Sequence, residues 1–185
     1  MDAADIALLI LRLWLATVII AHGINHLRAL DGTASWFASI GFRRARIQAR
    51  LSAVGEIAIG VGLALGLLTA FAAAGLIATM VIAFWSIHRF AGFFVFARPD
   101  EGYEYVATLS VAALVVAVIG PGQVSVDHAL GLADRLDSGI GAAMAIAGVA
   151  AAAVQLALFW RRPRPEAGAD PDGHDDTSGA CSHQS

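Results

Sequence analysis

Lysine is missing altogether, cysteine occurs once, and charged residues make up only 15% of the 185 residues. Each scarcity excludes something. A single cysteine, Cys181, rules out an internal disulfide framework. Without a CxxC pair or a Cys-x-x-Cys-His string, the chain by itself runs neither dithiol nor c-type haem chemistry. Fifteen acids against 12 basic residues, all of them Arg, give a net charge of -3, a balance that does not fit nucleic-acid binding. The acids Glu166, Asp170, Asp172, Asp175 and Asp176 account for the sign, because residues 1–165 carry 12 Arg against 10 acids, a net +2. The N-terminus Met1-Asp2-Ala3-Ala4-Asp5 has no basic residue and Arg12 interrupts the apolar run behind it, which argues for a retained span over a cleaved signal peptide.

What fills the space is hydrocarbon: 58% of the residues are hydrophobic. Apolar stretches run over Ile6–Ala21, Leu51–Leu68, Phe71–Ile87, Tyr105–Ile119 and Ile140–Trp160. A bilayer core of ~30 Å needs about 20 helical residues. The first and fourth stretches reach that length if helix continues through His22 to Leu27 and starts back at Gly102 to Glu104. So little polar surface cannot solvate five such helices, and an all-α integral membrane bundle with five spans is expected.

The Arg residues alternate with the spans. Arg28, Arg43, Arg44, Arg46 and Arg50 lie in the first connection, Arg89 and Arg98 in the third, and Arg161, Arg162 and Arg164 follow the last span. The opposite side holds only Arg135. By the positive-inside rule the N-terminus is outside and the C-terminus cytoplasmic. The polar residues 166–185 are expected to form a disordered cytoplasmic tail. Its Cys181, His174 and His183 define no closed geometry, so no metal site is expected. Residues from about 34 to 50 mix Trp36, Phe37, Ile40, Phe42 and Ile47 with four Arg, the composition of an inner interfacial helix that Gly41 breaks. Gly62 and Gly66 form a GxxxG pair, and Gly55, Ala58, Gly60 and Ala64 give the second span a surface for close helix approach.

Two polar sets stand at membrane depth. Arg12 is costly inside a span and needs an outer partner. Asp127, which follows the span-ending Gly120-Pro121-Gly122, is the favoured one, in a structural ion pair ahead of an anion-binding role. At the other end His22 and His26, spaced i, i+4, share one side of the first span. Glu56, His88, Tyr103 and Glu104 reach the same layer by connection parity. His26 and His88 also fit as ordinary interfacial residues, whereas Glu56 sits among apolar neighbours and needs a partner or a proton.

Taken in order, Leu11-Arg12-Leu13, His22-Gly23-Ile24-Asn25-His26-Leu27, Gly55-Glu56 with Gly60, Gly66-Leu67-Leu68-Thr69, Met80 to His88, Gly92-Phe93-Phe94, Gly102-Tyr103-Glu104-Tyr105, and Gly120-Pro121-Gly122 with Ser125 and Asp127 resemble the DoxX family of small membrane proteins of bacteria and archaea. The resemblance covers about residues 6–130. It implies a four-helix membrane core over residues 1–130, with residues 131–165 adding an outer connection and a fifth span, in a bacterial inner membrane. Members are associated with thiosulfate:quinone oxidoreductase, terminal quinol oxidase and thiol or oxidative-stress systems. The chain departs from the family pattern at His26, where Lys is usual, at Arg43, where Pro is common, and in its fifth span and tail.

The resemblance and the cluster together imply an auxiliary subunit of a quinone-linked redox system, with a membrane or cytoplasmic redox partner protein. His22, His26, Glu56, His88, Tyr103 and Glu104 would bind a quinone headgroup and handle its protons. A b-type haem held by His22 and His88 is the less favoured cofactor. The competing reading is a non-catalytic membrane module that binds lipid or anchors a partner enzyme, which the absence of a complete catalytic constellation favours.

Overall fold

A computed structural model describes residues 2–96, 101–133 and 138–163. The described residues form seven helices and a short 3-10 turn: α1 (Ala3–Arg28), α2 (Leu30–Ser39), α3 (Ala45–Leu65), α4 (Thr69–Ser86), the turn His88–Phe90, α5 (Glu104–Ile119), α6 (Val126–Ala129) and α7 (Ser138–Phe159). Four of them, α1, α3, α4 and α7, are long and apolar enough to cross a membrane. At 16 residues α5 is apolar but shorter, about 24 Å of rise against a ~30 Å bilayer core. Helix does not extend back to Gly102, because the backbone N–H groups of Gly102, Tyr103 and Glu104 donate to Phe94, Gly92 and Phe93 and close a loop ahead of α5.

A capping box starts α1: the Asp2 carboxylate accepts from Asp5 N at 2.9 Å and the Asp5 carboxylate from Asp2 N at 3.1 Å. The helix then runs through both His residues to Arg28. The expected interfacial helix over about 34–50 is divided instead. α2 begins at Leu30 and ends at Ser39, and residues from Ala45 onward are already the first turns of α3. Gly41, at a φ of +100° open to glycine, makes the break. Any Cβ there would collide with the Arg161 carbonyl.

Small residues set how closely the helices approach. A Cβ on Gly23 of α1 would lie 2.8 Å from the Ala53 carbonyl of α3, and one on Gly60 of α3 would lie 3.0 Å from the Ala16 carbonyl of α1. On α7, Gly148 faces the backbone of Ala74 in α4, and Gly141 that of Ala117 in α5. The Gly62/Gly66 pair has a different use. Gly66, in the left-handed region at φ +63°, ends α3, and Leu67 N donates to Gly62 O at 2.9 Å, a Schellman-type stop before the hairpin into α4.

Leu15, Ile19, Leu63, Leu76 and Val116 pack between the helices as the buried core. Outside, Ile10, Trp14, Val111, Ile119 and Ile146 are 62–72% exposed. Such a surface is a liability in water and the natural one against lipid. Contacts at the two ends confirm that successive spans alternate in direction. At one end Trp160, just past α7, forms an antiparallel bridge with Phe42, and its indole donates to Ile40 O at 2.8 Å. At the other, Asp127 N donates to Gly66 O at 2.9 Å.

Candidate functional site

Two polar centres lie at opposite ends of the bundle. The first is assembled where α3 turns into α4. Arg12 and Asp127 are both buried, with 1% and 0% of their surface exposed. They belong to one cluster, yet the direct ion pair expected between them is not formed. Arg12 donates from Nε to Leu63 O at 3.1 Å, from one terminal nitrogen to Val124 O at 3.0 Å and from the other to Pro121 O. The Asp127 carboxylate accepts from Leu68 N, Thr69 N and Thr69 Oγ1, each at 2.8 Å.

The physical reason is that helix ends compete for both charges. The last carbonyls of α3 carry partial negative charge and the first N–H groups of α4 partial positive charge. The guanidinium meets one of the former, Leu63 O, together with the loop carbonyls of Pro121 and Val124, and a carboxylate caps the latter from another part of the chain. Leu68, at φ +48° without a glycine's freedom, is held there by the Asp127 bond. Asp5 fastens the same loop by accepting from Gln123 N at 3.0 Å. With its donors and acceptors satisfied by backbone and the Thr69 hydroxyl, this centre is a structural clamp.

The second centre surrounds Glu56, which is 4% exposed in the middle of α3. Its Oε1 accepts from Ser52 Oγ, one helical turn earlier, and lies 3.9 Å from His26 Nε2. That His26 approach is too long for a direct hydrogen bond and suits a bridging atom. The other oxygen, Oε2, is buried without a partner. Glu56 forms part of the wall of a cavity of about 360 Å³, together with His26, Trp36 and Phe37 from α1 and α2, Ser52 and Ile59 from α3, Thr79, Ile82 and Ser86 from α4, and Gln155 from α7. The His26 ring stacks on Trp36 at 6.4 Å between centroids and meets Phe37 edge-on at 6.1 Å.

The remaining sequence candidates take other places. His22 is 6.5 Å from the His26 ring and stacks on Tyr105 at 6.2 Å, away from the cavity wall. His88 Nδ1 pairs with Glu101 O at 2.7 Å. Tyr103 packs edge-on between Phe84 and Phe93, both at 5.3 Å. Glu104 accepts from Val95 N at 3.3 Å. His88, Tyr103 and Glu104 therefore order the loop before α5 and do not line the Glu56 cavity, although they share its depth. Two participants were not singled out from sequence: Ser52, whose i, i+4 spacing to Glu56 was a usable signal, and the Gln48–Gln155 pair, bonded at 2.9 Å between α3 and α7. Among the described residues no three His, Cys, Asp or Glu side chains gather as a metal-binding group.

An all-helical bundle with four membrane-length helices and an apolar cavity near one end is a small polytopic membrane protein. Residues 7–89, from α1 into the turn after α4, match the DoxX family model, so this stretch is similar to that family. The match includes Arg12, His22, His26, Glu56 and His88 and ends before Tyr103, Glu104 and Asp127. Neither the curated proteins nor the solved structures give a match to this chain.

Proposed function

We propose that the Glu56 cavity binds the headgroup of a quinone, or of a similar apolar ring compound, and that the protein serves a quinone-linked redox system as an auxiliary subunit. The observation that carries this reading is Glu56 Oε2, a buried oxygen without a partner at an otherwise largely apolar cavity. An unmade hydrogen bond at such a site is costly, and the missing partner is a ligand hydroxyl that donates to the carboxylate, or a ligand carbonyl that accepts from the carboxyl in its protonated form. At about 360 Å³ the cavity is at the small end of the range for organic ligands, enough for one substituted ring.

In this reading Glu56 meets one ring oxygen and His26, 3.9 Å from it, shares in holding that oxygen or a bridging water. Trp36 and Phe37 enclose the flat faces of the ring. His22, beside His26 and Tyr105, extends the polar line away from the cavity. Electrons pass to or from a partner protein, since the chain has one cysteine and no thiol pair of its own. The bilayer is a bacterial inner membrane, with the N-terminus outside and the C-terminus in the cytoplasm, as the ten-to-one Arg distribution supports.

The test is extraction of the full-length protein, purified in mild detergent from native membranes, followed by mass spectrometry of the bound lipids. Quinone retained near one per protein, and reduced at least tenfold by Glu56→Gln, is the expected result. Absence of quinone from the wild-type extract, or equal retention by the variant, would overturn the proposal. Acyl lipid found in its place would identify the alternative, a lipid-binding membrane module.

A further inference from the structure

The cavity around Glu56 is not the only hollow in this half of the bundle. On the far side of the Gln48–Gln155 hydrogen bond lies a second one of about 450 Å³, bordered by Arg44, Ile47 and Leu51 from the α3 side and Ala151, Val154 and Leu158 from α7. Gln48, Leu51 and Gln155 border both hollows. The second is an outward-facing groove: Ile47, Leu51, Val154 and Leu158 are 52–61% exposed on the surface that faces lipid.

We propose that Gln48 and Gln155 form a lateral gate between this groove and the Glu56 cavity, and that the ligand is a single-tailed amphiphile whose ring occupies the cavity while its hydrocarbon tail lies in the groove. The identity of the ring site rests on the function proposed above. The gate stands on three further observations.

First, α7 packs against α4 and α5 and is not comparably packed on α3, so the α3/α7 seam is an open slit in this part of the bundle. Second, the one side-chain hydrogen bond across that slit among the described residues joins two neutral amides. Gln48 is 4% exposed. A carboxamide bond in a membrane is modest in strength, and the Gln155 N–H that gives it up can donate instead to a passing ring carbonyl. Third, the groove has the chemistry of a tail site. Apart from Arg44 and the two amides its walls are apolar, it shares Gln48, Leu51 and Gln155 with the cavity, and from Ala151 to Leu158 it follows α7 for roughly 10 Å of helix rise. A water-soluble ligand would have no use for such a wall.

Two quinone probes separate the parts: tailless dimethoxymethylbenzoquinone, and decylubiquinone, the same ring with a decyl chain. Binding to the full-length protein in one fixed detergent is read by quenching of tryptophan fluorescence, since Trp36 borders the cavity. Ala151→Phe fills the groove from the exposed face of α7 without entering the core. It should weaken decylubiquinone at least tenfold and leave the tailless probe within twofold. Gln155→Leu removes the gate bond and should raise the association rate of decylubiquinone several-fold.

If Ala151→Phe leaves decylubiquinone unchanged, or weakens both probes equally, the groove is not a tail site. An association rate unchanged or lowered in Gln155→Leu would remove the gate. Should Glu56→Gln alter neither affinity while Ala151→Phe still acts on the tailed probe, the groove stands and the Glu56 headgroup site fails. If neither probe binds the wild type, both proposals fail.

Discussion

Removing the Asp127 carboxylate should unfasten the outer end of the bundle. Asp127→Ala leaves the N–H groups of Leu68 and Thr69 and the Thr69 hydroxyl without their acceptor, the two on Thr69 fully buried and the one on Leu68 partly so. An orphaned buried donor costs about 1–3 kcal/mol, and we take the low end because water can enter the vacated space. With about 1 kcal/mol for the lost charge at the start of α4, the sum is roughly 3–5 kcal/mol, a large fraction of ordinary stability. By the scaling for chains of this size, that is a fall in Tm of roughly 6–20 °C. Asp127→Asn should lie between, because its amide nitrogen would turn a donor toward one of the donors it must satisfy. Thermal unfolding in detergent, followed by intrinsic fluorescence, is the assay. Both variants melting within about 2 °C of wild type would refute the clamp, since no reasonable discount brings three lost bonds so low.

Other perturbations at the same end and elsewhere have equally definite outcomes. Arg12→Lys should destabilise nearly as much as Arg12→Ala, because one ammonium cannot span the carbonyls of Leu63, Pro121 and Val124; recovery of wild-type Tm by Lys would show that charge alone suffices. A double-mutant cycle on Arg12→Ala and Asp127→Ala should show sub-additive loss, coupled through the loop that both side chains hold, and strict additivity would separate the two anchors. Gly66→Ala forces a Cβ to within 2.7 Å of the Arg12 guanidinium at φ +63°, and should cost about 2 kcal/mol or more in the same melting assay. A reporter fused to the C-terminus should be active only in the cytoplasm; periplasmic activity would reverse the proposed orientation.

Sequence alone determined the elements that depend on run length and local chemistry. Apolar stretches of membrane length specify the long helices, since a lipid-facing backbone must bond within its own helix. Gly41 stops α2 through its own conformational freedom, and the His22, His26 and Glu56 depths follow from counting residues along helices that alternate in direction. The bounds of the interfacial segment were less legible, because Ala45 to Arg50 have no signal that distinguishes an interfacial helix from the first turns of a span.

What only the tertiary structure decided is which of the groups at one depth meet. Arg12 and Asp127 were matched as opposite charges, but the free ends of α3 and α4 offer backbone partners to each, and those helix ends exist only once the hairpin is folded. Glu56 shares its depth with polar residues of three other helices, yet the loop before α5 closes on itself and His88, Tyr103 and Glu104 serve that loop. Gln48 and Gln155 are 107 positions apart, the first between Arg46 and Arg50 and the second a lone amide in an apolar run. Helical periodicity fixes the angle between side chains on one helix. It is silent on the rotation of one helix against another, which here is set by where Gly141 and Gly148 let α7 settle against the backbones of α5 and α4.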